Sequence, residues 1–174
     1  MSTVVVSPYS PDWPTKFHAI RKDLLSVFAP TLVTIEHIGS TSVPDLAAKP
    51  VIDVLLGARS LADIESKIKP LSEIGYSYVP KYEREIPMRR YFVKSLATSL
   101  RVHLHAVEFD SRIWREHLAF RDRLRADAIL RSEYQALKLR LAAEFADDKS
   151  AYTAAKATFI QAVLAIVFKR CDAG

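Results

Sequence analysis

A chain of 174 residues suits one domain, or one domain with a small helical appendage. With 49% hydrophobic and 26% charged residues it can bury a sizeable core, which excludes a disordered chain. Its formal charge of +5, from 25 basic and 20 acidic residues, permits an anionic ligand but does not demand nucleic acid. Cys171 stands alone, so no disulfide framework is expected and a reducing, cytoplasmic setting fits. The N-terminal stretch MSTVVVSPYSPDW lacks the basic region and apolar core of a signal peptide. No apolar run is expected to reach the ~20 residues of a membrane span, so no membrane contact is expected.

Val4 to Val6 reads as a short edge strand or an extended arm. In SPDWPTKFHAIRKDLLSVF, Ser10 or Asp12 is the N-cap, and Trp13, Phe17, Ile20, Leu24 and Phe28 recur at helical spacing. Thr31–Ile38 is rich in β-branched residues and predicts a strand, and the apolar run Val51–Leu56 predicts a central strand covered on both faces. Ser60 opens a helix striped by Leu61, Ile64, Ile68 and Leu71 and closed at Gly75. Tyr76–Val79, Tyr91–Val93 and Arg101–Val107 predict further strands. From Ser111 the pattern turns helical, with a break near Asp127, and KSAYTAAKATFIQAVLAIVFKR forms a second long helix. The expectation is one domain over 1–174: an α/β (α+β) unit with a mixed sheet over 1–110, and a C-terminal helical pair over 111–174 packed on it. Within the helical part, Arg121, Asp122, Arg123 and Arg125 read most simply as an exposed charged face, and Tyr152, Lys156 and Phe159 as a seam between helix and sheet.

Between the first two long strands runs IEHIGSTSVPDLAAKPVIDVLLG. Glycine permits positive φ and close backbone approach, and Ser40 adds a hydroxyl beside free N–H groups, so the turn suits a phosphate. Gly39-Ser40, then twelve residues, then Asp53 on a strand resembles the opening of the nucleotidyltransferase fold. That resemblance implies a triphosphate gripped by the turn and two acids, two residues apart on one strand face, holding Mg²⁺. Here the second acid's place holds Leu55.

The motifs EHIGSTSVP and LAAKPVIDVL on either side of Asp45, followed by RRYF, HLHAV, FRDRLR, YQALK and YTAAKATFI, resemble the GrpB family of the nucleotidyltransferase superfamily, from Trp13 to about Ile160. The resemblance implies a polymerase-beta-like fold with the Gly-Ser loop at the sheet edge; it implies no defined reaction. Asp45 stands where the family pattern has glycine, and an aspartate tolerates the left-handed conformation better than most residues.

Strand alternation places Arg101, His103 and His105 on one face. With Asp53 they form a candidate catalytic and metal-binding set, for Mg²⁺, Mn²⁺ or Zn²⁺, or else a general base or phosphate donor. His37 and Glu36 are further candidates, although alternation sets them on opposite faces; Glu36 serves either the loop or a pair with Arg89 or Arg90. Gly39, Ser40, Thr41, Ser42 and Lys49 are candidate phosphate ligands, and Lys156 is a candidate for the cleft. From Lys81 to Arg101 six basic residues face two acidic ones, Glu83 and Glu85, read as a solvated hairpin or as an anion-binding rim led by Arg89 and Arg90.

Two functions compete: transfer of a nucleotidyl or other phosphate group to a small acceptor, and a degenerate module that binds a nucleotide or phosphate-bearing ligand without two-metal chemistry. RNA binding is disfavoured by the modest charge and sparse aromatics.

Overall fold

The computed structural model describes residues 5–96 and 100–171. Helix α1 (Asp12–Phe28) buries the five residues its spacing predicts. It is followed by strand β1 (Thr34–Ile38), which pairs antiparallel with β2 (Val51–Ala58). Between them the loop tightens into a 3-10 turn over Ser40–Ser42. Short helices α2 (Leu61–Glu65) and α3 (Ile68–Glu73) carry the chain across, with Ser60 Oγ accepting from Asp63 N at 3.1 Å as the cap. Strands β3 (Ser77–Tyr78), β4 (Arg89–Ser95) and β5 (Arg101–Glu108) complete a mixed sheet of order β1-β2-β5-β4-β3, in which β2 and β5 run parallel. Of the expected N-terminal arm, Val4 lies outside the described residues; beyond it Ser7 bridges Ala48.

The sheet has two unlike faces. One carries Ile35, Ile52, Val54, Leu56, Phe92, Val102, Leu104 and Ala106, all buried in one cluster with the apolar side of α1. Hydrophobic burial there is worth ~25 cal/mol per Å² of apolar surface, the main source of stability. The other face is covered at one end by helix α4 (Arg112–Ala126), where Ile38, Leu55 and Val107 pack on Trp114.

The helical break falls at Asp127, whose Oδ1 accepts from Leu130 N at 3.0 Å and so starts helix α5 (Ala128–Glu144). Helix α6 (Lys149–Cys171) packs on α4 and α5. Two expectations change here. Phe159 sits against Val43, Leu46, Leu124 and Tyr134, and Tyr152 against Leu141, so the seam joins helices and loop rather than helix and sheet. The 20-residue stretch Ser150–Lys169 has mean hydropathy 1.5, long and apolar enough to cross a membrane by length and composition, with 17% of it buried in this fold. The expectation of no run of that length is therefore corrected.

Candidate functional site

Gly39 adopts φ 70°, and a Cβ there would lie 2.9 Å from Cβ and Cγ of Asp53. Glycine is therefore required twice, for the backbone conformation and for room beside the Asp53 carboxylate. Oδ2 of Asp53 faces this loop. Oδ1 faces the other way, 3.5 Å from Nδ1 of His103 and 3.5 Å from Nε2 of His105. The parallel register places Asp53 beside His103 and Leu55 beside His105, so three side chains distant in sequence converge. They remain reachable by water, with side-chain exposures of 25%, 28% and 14% for Asp53, His103 and His105.

Burial pushes the Asp53 carboxyl up, but hydrogen bonding and charge from the two imidazoles outweigh it and hold the group well below the usual carboxylate range. Asp53 is therefore ionised and accepts only. The His103 nitrogen that faces it is Nδ1; a neutral ring that donates from Nδ1 keeps Nε2 as its acceptor. Arg89 Nη1 lies 3.4 Å from Nδ1 of His105. A guanidinium only donates, so the proton of His105 sits on Nε2, toward Asp53. Burial drives His105 below its ordinary value, against the pull of Asp53.

Among the described residues no group of three or more His, Cys, Asp or Glu side chains is arranged to hold an ion, and Leu55 supplies no second carboxylate on this face. A hard cation needs more oxygens than one carboxylate provides.

Lysines gather on the loop side. Lys138 is 1% exposed and its Nζ donates to Ala47 O. The same ammonium lies 5.0 Å from the centre of the Tyr134 ring, and the Tyr134 phenol is hydrogen-bonded with Ser40. Lys49 and Lys156 lie 3.8 and 4.3 Å from the centre of the Tyr152 ring. Burial, aided by the charge of Lys156, pushes Lys138 down to about 7. Burial also lowers Lys156, while Asp53 pulls it back up.

Several expected ligands are committed elsewhere. Thr41 is 1% exposed; its hydroxyl donates to Val51 O at 2.9 Å and pairs with His37 Nε2 at 3.1 Å. Ser42 Oγ donates to Gly39 O at 2.6 Å. Both hydroxyls hold the loop's shape rather than a ligand. His37 points to the opposite sheet face, stacked on Phe17 at 4.7 Å; burial pushes it down to about 4, so it does not join Asp53. Glu36 pairs with Arg121 at 2.7 Å, not with Arg89, Arg90 or the loop. Arg89 and Arg90 do not act as a pair, because alternation sends them to opposite faces, and Arg90 binds Glu65 at 2.6 Å and Glu83 at 3.6 Å.

The FRDRLR segment is likewise no simple exposed face. Arg121 is buried and also donates to His37 O, and Arg125 donates through Nε and Nη2 to Ser42 O at 3.0 and 2.8 Å. With Gln135 Oε1 accepting from Ala47 N at 2.7 Å, helices α4 and α5 clamp the loop. Asp45 takes φ 63°, as an aspartate can. A cavity of about 560 Å³ opens on the far side of the loop, lined by His18, Glu36, Arg121, Arg125 and Arg131 among others. Those arginines are occupied by carboxylates and carbonyls.

Tyr134, Lys138 and His117 are not among the candidates the sequence singles out. A signal existed for the first two. Tyr134 and Lys138 share the spacing of Tyr152 and Lys156, four residues apart, which puts each phenol and ammonium on one helix face. His117 donates through Nδ1 to Ile113 O at 2.8 Å, stands 5.7 Å from the His105 ring, and is pushed down to about 4 by burial and by His105. Nothing in its spacing announces that contact.

The sheet order, the Gly-Ser loop and Asp53 define a nucleotidyltransferase-like fold. A solved structure of the Cid1 poly(U) polymerase with Mg 3'-dATP bound shares it, with a TM-score of 0.58 at 11% identity over 86% of this chain and 49% of that chain. The chain belongs to the GrpB family, whose model, GrpB protein, matches residues 3–165. The solved structure of conserved protein GrpB from Enterococcus faecalis is 32% identical with a TM-score of 0.85, covering 95% of this chain and 98% of that one. UPF0157 protein YqkA of Bacillus subtilis is 37% identical over 153 residues, 88% of this chain; the chain spans only 44% of that relative's length.

Proposed function

We propose that the protein binds a nucleoside triphosphate, or a ligand with similar phosphates, between the Gly39-Ser40 loop and the lysines of α5 and α6. One observation carries this reading: buried Lys138 stands at the Tyr134 ring, whose phenol is hydrogen-bonded with Ser40, and Lys49 and Lys156 both stand over the Tyr152 ring, so three ammonium groups gather beside the Gly39-Ser40 loop. Gathering ammonium groups about a buried one is costly, and a polyphosphate offsets that cost. Of the three, Lys49 lies at the entry to β2. Ser40 offers its hydroxyl at the turn. A divalent ion would have to bring its own phosphate oxygens, with Asp53 as its one carboxylate.

The Asp53–His103 contact supports chemistry as well as binding. An ionised carboxylate that holds Nδ1–H orients the ring and leaves Nε2 to take a proton from an attacking hydroxyl. Buried Leu55 favours the second reading, a module that binds but does not turn over, because two-metal transfer wants a second acid.

Thermal denaturation with nucleoside triphosphates, with and without Mg²⁺, tests the first claim. At 100 times Kd a ligand adds about 2.7 kcal/mol, which is readily seen. Stabilisation is expected in wild type and lost in Lys156→Gln; the Mg²⁺-dependent part is lost in Asp53→Ala. No shift with any triphosphate sinks the reading. Release of labelled pyrophosphate then separates transfer from binding.

A further inference from the structure

We propose that the polar part of the α4-side sheet face, from His105 across to Tyr91 and Arg89 on β4, is the subsite for the acceptor, and that this acceptor is a small anionic molecule with a hydroxyl, its carboxylate or phosphate recognised by Arg89 against Tyr91. This rests on the reading of the loop as the phosphate-donor side.

Two adjacent arginines make the case by contrast. Arg90 is satisfied by two carboxylates on the opposite face. Arg89 is half-buried, and among the described residues no carboxylate lies within ion-pair distance of it. Its Nη1 meets a neutral imidazole at 3.4 Å, its guanidinium lies 5.2 Å from the centre of the Tyr91 ring, and its buried Nε has no partner. Burial lowers its proton affinity, with little acid nearby to restore it. A guanidinium partly stripped of water and lacking a counter-ion is expensive unless an anion completes it. Its planar fork matches a carboxylate or phosphate.

The orientation of Asp53 separates the two ligands. Oδ2 faces the Gly39 turn and Oδ1 faces the imidazoles, so the loop and the His105–Arg89 contact meet different oxygens of one carboxylate. Tyr91 packs on both rings, 5.7 Å from His103 and 5.2 Å from His105, and gives the acceptor a flat floor. An anion held by Arg89 brings a neighbouring hydroxyl toward His103 Nε2. In the transfer, the hydroxyl oxygen bonds to the α-phosphorus of the triphosphate, its proton passes to Nε2, and the bond to the bridging oxygen breaks to release pyrophosphate.

The test titrates glycerate, glycerol 3-phosphate and glycerol separately into the protein and follows the His103 and His105 ring signals by NMR; ATP binding is measured in parallel. A saturable shift is expected with glycerate, with glycerol 3-phosphate, or with both, which identifies the anion, and none with glycerol. Arg89→Gln should weaken it about tenfold or more, Arg89→Lys less, and Lys156→Gln should leave it within about twofold. ATP binding should show the reverse dependence. Equal shifts with glycerol, no saturation with either anion, or indifference to Arg89→Gln overturns the proposal. Loss of ATP binding alone, with Arg89-dependent anion binding retained, strikes the donor reading and leaves the anion site standing.

Discussion

One face of the sheet is two surfaces. At positions 53 and 103 it is polar and reachable by water; two residues further along β2 it is sealed under α4, with Leu55 fully buried against Ile38, Val107 and Trp114. Residues 53 and 55 share a strand face and lie one pleat apart, yet they meet opposite environments. The helix, not the strand, makes the difference. An acid at 55 would sit beneath an indole, so the leucine is what the packing of α4 requires.

The largest effect should come from forcing the two surfaces to match. Leu55→Asp places a second carboxylate on that face but buries its charge under Trp114, with only the already engaged His105 beside it, at an expected cost of about 3–5 kcal/mol in urea denaturation. A midpoint close to wild type would show that the sealed end is wet and that the contrast between the two ends is false.

A smaller loss is expected where α4 is pinned to the strand edge. Arg121→Met leaves Glu36 and the His37 carbonyl without their donor, for about 2 kcal/mol of stability in the same measurement. Arg115, on the same helix, pairs with Asp110 in full solvent exposure, and Arg115→Ala should leave the midpoint unchanged. Equal losses for the two variants would mean that the arginines of α4 do not divide into clamp and surface.

Much of this was legible before any coordinates. The stripe from Trp13 to Phe28 marks α1, the break expected near Asp127 falls at that residue, and alternation on β5 puts His103 and His105 on one face. Those are local rules of period and capping. Tertiary partners were not legible. Arg121 and Arg125 look like surface residues by composition, and only the crossing of α4 over the loop turns them inward. Thr41 and Ser42 look like phosphate ligands because a hydroxyl's partner is decided by a fold in the third dimension, here Val51 O and Gly39 O. The apolar length of α6 is masked in the sequence by small residues and single polar ones, which interrupt the run while its mean hydropathy stays at 1.5.

The smallest expected effect concerns the loop side of the open surface. Lys138 releases its proton near 7 in the folded chain, against ~10.4 in an unfolded one. Between those values the unfolded chain binds a proton that the folded chain does not, so stability rises with pH. Below about 7 both states are charged and the cost of burial is at its maximum and constant. From pH 7.5 to 8.5 this lysine should therefore add about 1 kcal/mol, and Lys138→Met should remove that slope while the rest of the pH curve persists. A bound triphosphate favours the charged ammonium, so ATP binding at pH 8 should take up a proton, seen as a dependence of the calorimetric heat on the buffer's ionisation enthalpy. If the slope survives in Lys138→Met, or the heat ignores the buffer, Lys138 is an ordinary charged lysine and the loop side is no more strained than the sealed end.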